Sequence, residues 1–452
     1  MEAANKELFG HPRGLFTLFF TEMWERFSYY GMRVLLVLYM IQHLFVIVKE
    51  GTHIVGFDTI KSFAESLYGP MSDQAFSSEI YGLYTALVYF TPFIGGWIAD
   101  RFIGQRRSVY VGGFLMAIGH FLMAVESLFF PALLFLILGN GFFKPNISTQ
   151  VGGLYAQDDD RRDRAYSIFY MGINLGAFFS PLVCGTLGQK VGWHWGFGAA
   201  GVGMLISLVV YHFGGKHLPQ TEKKESLHDI QENAKKPLTR QEWMAVWALC
   251  YLCFLNIIFW AVYEQQGNTL QLWADQNTNW NFFGWEMPST WFGSFNPMFI
   301  FIFVPVLNVF WSWQNKRNKE PGSVAKMGIG CALAGFALVV MFFAAKVVGV
   351  ERGSVMWLVF STFLLTIGEI YLSPIGLSLV TKIAPARIVS MMMGVWLLSS
   401  FFGNYLSGRL GAFYEAMGKD NFFAMLTVLG FGAGLAFFVS LKPINKGIGY
   451  KV

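Results

Sequence analysis

Thr21-Glu22-Met23-Trp24-Glu25-Arg26-Phe27-Ser28-Tyr29-Tyr30-Gly31, with Arg33 just beyond it, lies inside a stretch that is otherwise apolar from residue 14 to residue 46. At about 100° per residue, Glu22, Glu25, Arg26, Tyr29, Tyr30 and Arg33 fall within roughly 140° of one another, a polar stripe down one helix face. A charged side chain at mid-bilayer is unfavourable by about 2.5 to 3.5 kcal/mol even on the lenient insertion scale. The stripe must therefore line something other than lipid, and intramembrane charges of this kind mark ion or substrate paths.

The rest of the chain supplies the membrane. It has 452 residues, 54% of them hydrophobic and 13% charged, with mean hydropathy +0.45, against about 25% charged in a soluble domain. Twelve apolar segments are long enough to span, at 14–46, 79–100, 107–126, 129–152, 164–189, 194–214, 241–271, 290–313, 324–348, 353–382, 388–415 and 420–441. The first, seventh and tenth exceed the roughly 20 residues a span needs and are expected to tilt or project. A β-barrel is excluded, since runs such as Ala132 to Leu138 are continuously apolar and lack the alternation of barrel strands. The first run is too long for the core of a cleaved leader and carries the stripe, so segment 1 is expected to remain.

With the N-terminus cytoplasmic, 23 of the 33 basic residues fall in the tails and loops of the cytoplasmic side, and six on the other: Lys49, Lys61, Lys190, Lys346, Arg352 and Lys419. The positive-inside rule then places both termini in the cytoplasm. The net charge of +5 is spread over loops, which suits an anionic inner leaflet and not nucleic acid. The four cysteines lie in apolar segments and read as small core residues, including Cys250 and Cys253. None of the eight histidines has a metal-ligand partner at helical spacing, so no metal or cofactor is expected.

A charged insertion from Gly214 to Glu242 divides the chain near its middle. Six spans on each side of such a linker is the arrangement of the major facilitator fold, an all-α integral membrane architecture of two six-helix halves. The expected domains are 1–214, a cytoplasmic linker 215–240, and 241–452. Gly96-Trp97-Ile98-Ala99-Asp100-Arg101-Phe102-Ile103-Gly104-Gln105-Arg106-Arg107 resembles the GxxADRxxGxRR loop of that superfamily, in which glycines permit close helix packing and the charges latch helix ends.

Beyond the stripe, the interior charges are Lys144 in segment 4, Glu264 in segment 7 and Glu369 in segment 10. A carboxylate held by a cation stays ionised, and losing that partner in a dry site favours its protonated form, so pairing and protonation can exchange. Prolines beside polar groups, in Lys144-Pro145-Asn146, Glu369 to Pro374 and Asn296-Pro297, are expected to free backbone groups that face a wet cavity. Trp273, Trp280, Trp285 and Trp291 read as interfacial anchors.

Glu22-x-x-Glu25-Arg26-Phe27-Ser28-Tyr29-Tyr30-Gly31 resembles the ExxERFxYYG signature of the proton-dependent oligopeptide transporters, a branch of the facilitator superfamily. Similarity continues at Phe143 to Ser148, Phe169 to Gly176, Trp260 to Gln265 and Gly368 to Pro374, which covers both halves. The resemblance implies import of di- and tripeptides with protons by alternating access, at a prokaryotic inner membrane. It implies that Arg33 and Lys144 hold the peptide carboxylate, that Glu369 with Asn174 and Asn296 receives the amino end, and that Tyr30, Tyr84, Tyr170, Trp260 and Trp396 line the pocket. Glu264 is implied as the main proton-coupling acid, exchanging a salt bridge with Arg33, with Glu22 and Glu25 engaging Lys144 or Arg26. Protons are the coupling ion, no cofactor is implied, and the monomer is the expected functional unit. The chain departs from many prokaryotic members in lacking two extra helices between the halves, and from animal members in lacking a large domain between segments 9 and 10.

The alternative is a facilitator-fold proton-coupled porter for another small solute, such as an amino acid, nitrate or a drug. An enzyme is disfavoured, since the chain carries no HExxH, GxSxG or phosphate-binding Gly-rich loop.

Overall fold

The computed structural model describes residues 7–156, 159, 161–218, 238–349, 351–385 and 388–448. Its α-helices of more than five residues, in chain order, are α1 (Arg13–Tyr39), α2 (Phe57–Tyr68), α3 (Asp73–Ile98), α4 (Gln105–Leu122), α5 (Phe129–Gly152), α6 (Arg161–Ser180) and α7 (Trp193–Gly214), then α8 (Arg240–Tyr263), α9 (Thr269–Asn277), α10 (Phe295–Lys316), α11 (Ser323–Val348), α12 (Met356–Ile383), α13 (Val389–Gly411) and α14 (Lys419–Ile448). All except α2 and α9 follow the twelve apolar stretches of the sequence. Ten of these helices, with their short extensions, are long and apolar enough to cross a membrane. The other two, α4 and α13, are diluted by Arg106, Arg107 and His120 in one case and by serines, glycines and Asn404 in the other. The strands among the described residues are two-residue pieces, such as the antiparallel pair β1 (Glu7–Leu8) and β2 (His11–Pro12). Of the expected linker, residues 219–237 lie outside the described residues.

Contacts gather the chain into two units. The first comprises Met1–Ser77, Leu87–Lys224 and Trp280–Met298, and the second Ser78–Ala86, Glu225–Asn279 and Phe299–Val452. In the first, α1 lies against α6 and α7, and α4 against α5. Small polar groups clip the helices together: Ser28 Oγ donates to the Ala200 carbonyl at 2.6 Å, and Ser207 Oγ to the Thr21 carbonyl at 2.7 Å. With no water available in a bilayer core, such hydroxyls must be satisfied within the protein. The α4–α5 seam depends on glycine, because a Cβ at Gly112 would stand 2.5 Å from the Gly139 carbonyl oxygen. In the second unit α11 packs on α12 and α14, and α8 on α13 and α14.

Several segment boundaries differ from the sequence expectation, each for a local reason. Helix α3 begins at Asp73, where Ser72 accepts a hydrogen bond from the Ala75 amide as N-cap. Glu79, expected at the edge of segment 2, is therefore more than a turn inside the helix. The seventh segment is not one long tilted helix: α8 ends at Tyr263, Glu264–Gly267 forms a 3₁₀ turn, and α9 follows. Pro145 and Pro374 sit inside unbroken helices, whereas Pro297 falls in the first turn of α10, where a missing amide costs nothing. The sequence reading missed α2, whose Phe63 and Leu67 are exposed on an amphipathic helix.

Candidate functional site

In the first unit the stripe on α1 closes on itself. Arg26 is held by both acids: Nε and Nη2 donate to Glu25, the latter bond being 2.7 Å to Oε1, and Glu22 Oε1 forms an ion pair 3.1 Å from Nε. All three side chains are almost fully buried. The two acids are held unequally, since Glu25 has both oxygens engaged while Glu22 Oε2 is buried without a hydrogen-bond partner among the described residues. The Arg26 guanidinium also lies 5.2 Å from the Tyr29 ring centre.

Lys144, half-buried on α5, completes this cluster. It feels the charges of Glu22, Glu25, Arg26 and Arg33 together, and its ammonium sits 4.4 Å above the ring of Tyr89 on α3. A cation over an aromatic face gains roughly 0.5 to 2 kcal/mol as its exposure falls, so Tyr89 offsets part of the burial of Lys144. Arg33 lies one turn beyond Tyr29 on α1, half-buried, with its guanidinium 5.9 Å from the Tyr30 ring. Asn174 is buried and its amide donates to the Tyr170 carbonyl at 3.0 Å; the Tyr170 side chain is exposed. Asn296 is half-buried in the first turn of α10.

In the second unit two carboxylates meet tyrosines. Glu264, 2% exposed, opens the 3₁₀ turn after α8, and the Tyr81 hydroxyl donates to its Oε2 at 3.5 Å. Glu369 on α12 accepts a hydrogen bond of 2.5 Å from Tyr263. Trp260 lies edge-on to Tyr263 at 5.3 Å and backs onto Gly403. Trp396 and Tyr84 are buried, the former against Gly376. A further ion pair joins half-buried Arg409 to buried Glu79, which follows Ser78, whose hydroxyl donates to Asn268 Oδ1 at 2.9 Å.

The structure thus gathers Glu22, Glu25, Arg26, Arg33 and Lys144 in one unit, and Glu264, Glu369 and Trp260 in the other. It adds Tyr29, Tyr89, Tyr81, Tyr263 and the Glu79–Arg409 pair, which sequence reasoning did not assign. Tyr29 stood on the stripe and was legible by helical spacing. The others meet their partners across helices, and only Glu79 and Arg409, charges in apolar runs, left a signal in the sequence.

Comparison with known proteins gives a consistent result. The model of the POT family matches residues 106–235 and 229–425. A protein of Yersinia enterocolitica named peptide transporter YePEPT is 34% identical, over 91% of this chain and 89% of its own length. A di-/tripeptide transporter of Lactococcus lactis subsp. cremoris is 31% identical over 99% of each. A crystal structure of the peptide transporter POT in complex with sulfate superposes with a TM-score of 0.86 at 32% identity, over 98% of this chain and 97% of the other.

Proposed function

The chain belongs to the POT family, and from that premise we propose that it is a multi-pass inner-membrane symporter that imports di- and tripeptides together with protons by alternating access. The observation that carries the reading is the buried cluster on α1 and α5, in which two acids share one arginine beside a lysine. A structural network would be best served by fully satisfied charges. Here Glu22 keeps one bare oxygen, which suits a group that exchanges partners.

Peptides of every sequence share one ammonium and one carboxylate, and two residues span only about 7 Å, so a site that reads the termini accepts many side chains. In the proposal Arg33 and Lys144 take the carboxylate and Glu369, with Asn174 and Asn296, takes the ammonium. Tyr30, Tyr84, Tyr170, Trp260 and Trp396 shape the pocket. Glu264 carries the coupling proton, alternating between that proton and Arg33, while Glu22, Glu25 and Arg26 tune the exchange. Alternating access opens this site to one side of the membrane and then to the other, and the monomer suffices.

The test is uptake of a labelled dipeptide by liposomes containing the purified protein. An inside-alkaline pH gradient stimulates uptake, and Glu264→Gln abolishes gradient-driven accumulation while counterflow of peptide survives, because the amide imitates a permanently protonated acid. Absence of gradient-stimulated uptake for every di- or tripeptide sinks the reading. Loss of counterflow as well in folded Glu264→Gln protein makes Glu264 structural.

A further inference from the structure

We propose that Tyr263 is a positioning residue that ties the carboxylate of Glu369 to the helix break carrying Glu264, so that the peptide ammonium and the proton act on one joint. The proposal rests on the reading of Glu369 as the group that receives the peptide's amino end.

Tyr263 is the last residue of α8, and its hydroxyl crosses to α12 to donate to Glu369 Oε2 at 2.5 Å. Its ring is 9% exposed, stacked on Phe259 at 5.7 Å and 20° and set edge-on to Trp260 at 5.3 Å and 86°. Rings packed on two sides leave the hydroxyl little choice of direction, so the aim at Glu369 is a property of α8 itself. The next residue, Glu264, caps α8 with its amide still on the Trp260 carbonyl and starts the 3₁₀ turn, where Tyr81 donates to its side chain. Two consecutive residues therefore serve two different carboxylates: Tyr263 holds one through its hydroxyl, and Glu264 bears the other.

The chemistry links them. A hydrogen bond from a hydroxyl to an ionised carboxylate is about twice as strong as a neutral one, and a carboxylate offers about four acceptor positions. Tyr263 occupies one and fixes how the carboxylate faces an incoming ammonium. Once the ammonium neutralises Glu369, the carboxylate becomes a weaker acceptor for Tyr263, and the end of α8 loosens at the residue next to Glu264. Peptide arrival at Glu369 thus changes the setting of the proton-carrying turn without direct contact between peptide and Glu264.

Tyr263→Phe keeps the ring and its packing and deletes only the hydroxyl. In proteoliposomes the variant is expected to retain peptide counterflow and to raise the KM for free-amine dipeptides by roughly three- to tenfold, the scale of one ordinary hydrogen bond, because Tyr263 orients the carboxylate and does not itself touch the peptide. Competition by N-acetylated dipeptides, which lack the ammonium, stays unchanged. The second readout is the pH profile of uptake at low and at saturating peptide: the two profiles differ in the wild-type protein and coincide in Tyr263→Phe. Glu369→Gln serves as the control on the premise. If Glu369→Gln leaves the preference for free-amine peptides intact, Glu369 does not receive the ammonium and the premise falls. If Glu369→Gln removes that preference while Tyr263→Phe keeps the wild-type KM and separate pH profiles, the premise stands and the role of Tyr263 is overturned. Loss of counterflow in Tyr263→Phe also overturns it, since a purely structural part would behave that way.

Discussion

Arg26 serves two buried acids, and it serves them differently. Glu25 takes a two-pronged grip, whereas Glu22 makes one ion-pair contact and leaves Oε2 bare. Removing a partner from a buried ion pair costs about 3 to 5 kcal/mol when the remaining charge is orphaned. Because Glu22 still serves Arg26, Glu25→Gln is expected to cost about 2 to 3 kcal/mol, and Glu22→Gln less. Thermal denaturation of the detergent-solubilised variants checks this, and a lower midpoint for Glu22→Gln than for Glu25→Gln contradicts the unequal grip. The stripe itself was legible in the sequence, because Glu22, Glu25, Arg26, Tyr29 and Arg33 lie on one helix and the helical period fixes their common face. Their aromatic neighbours were not. The pocket reading chose Tyr84 on α3, yet the tyrosine over Lys144 is Tyr89 and the one on Glu264 is Tyr81. Choosing among three tyrosines on one helix requires the register of that helix against its neighbours, which no spacing within a single segment encodes.

At the scale of elements, composition located the helices well and their ends poorly. Apolar length is a bulk property and survives averaging over a window, whereas an end depends on one cap or one turn. Ser72 moved the start of α3 outward and put Glu79 within it; the sequence reading counted residue 79 as an edge and left this acid out of the interior charges. The 3₁₀ turn at Glu264–Gly267 falls on the polar run Glu264-Gln265-Gln266-Gly267-Asn268, a break that the expected span 241–271 passed over. The β1–β2 hairpin was likewise unforeseen. It is tethered by Arg161, which donates to Glu7 Oε1 at 2.7 Å and to the Gly10 carbonyl at 3.0 Å, and by a 2.8 Å bond between His11 Nδ1 and the Tyr155 hydroxyl. Arg161 also binds Asp159 and holds that carboxyl down at about 2, chiefly through the side-chain hydrogen bond. A depressed carboxyl contributes its stabilisation above its ordinary value near 4 and loses it only as the pH falls towards 2. Hydrogen exchange over residues 7–12, corrected for intrinsic rates, is therefore expected to be the same at pH 5.5 and 7.5 and to rise in Arg161→Ala. Faster exchange at pH 5.5 in the wild-type protein, or unchanged exchange in Arg161→Ala, contradicts the tether.

For the molecule as a whole, the charge asymmetry of the loops and the twelve apolar stretches were enough to read a two-fold helical membrane protein, and the solved structures it resembles have the same fold. The course of α3 through the two units was beyond that reading. Its residues Ser78–Ala86 are gathered with the second unit and its remainder with the first, because Gly82 meets Gly408 backbone to backbone. A Cβ at Gly82 would stand 2.5 Å from the Gly408 Cα. At this point backbone meets backbone, with no side chain of either residue between the helices. The consequence concerns leakage. A carrier that spends a proton gradient on cargo must be an insulator whenever cargo is absent, and two glycines in direct contact make a drier barrier than any pair of movable side chains. Gly82→Leu, which props the seam open, is expected to let protons dissipate an imposed gradient in peptide-free liposomes carrying a pH-sensitive dye, at a rate well above that of the wild-type protein. An equally tight variant would mean that the insulation lies elsewhere along α3.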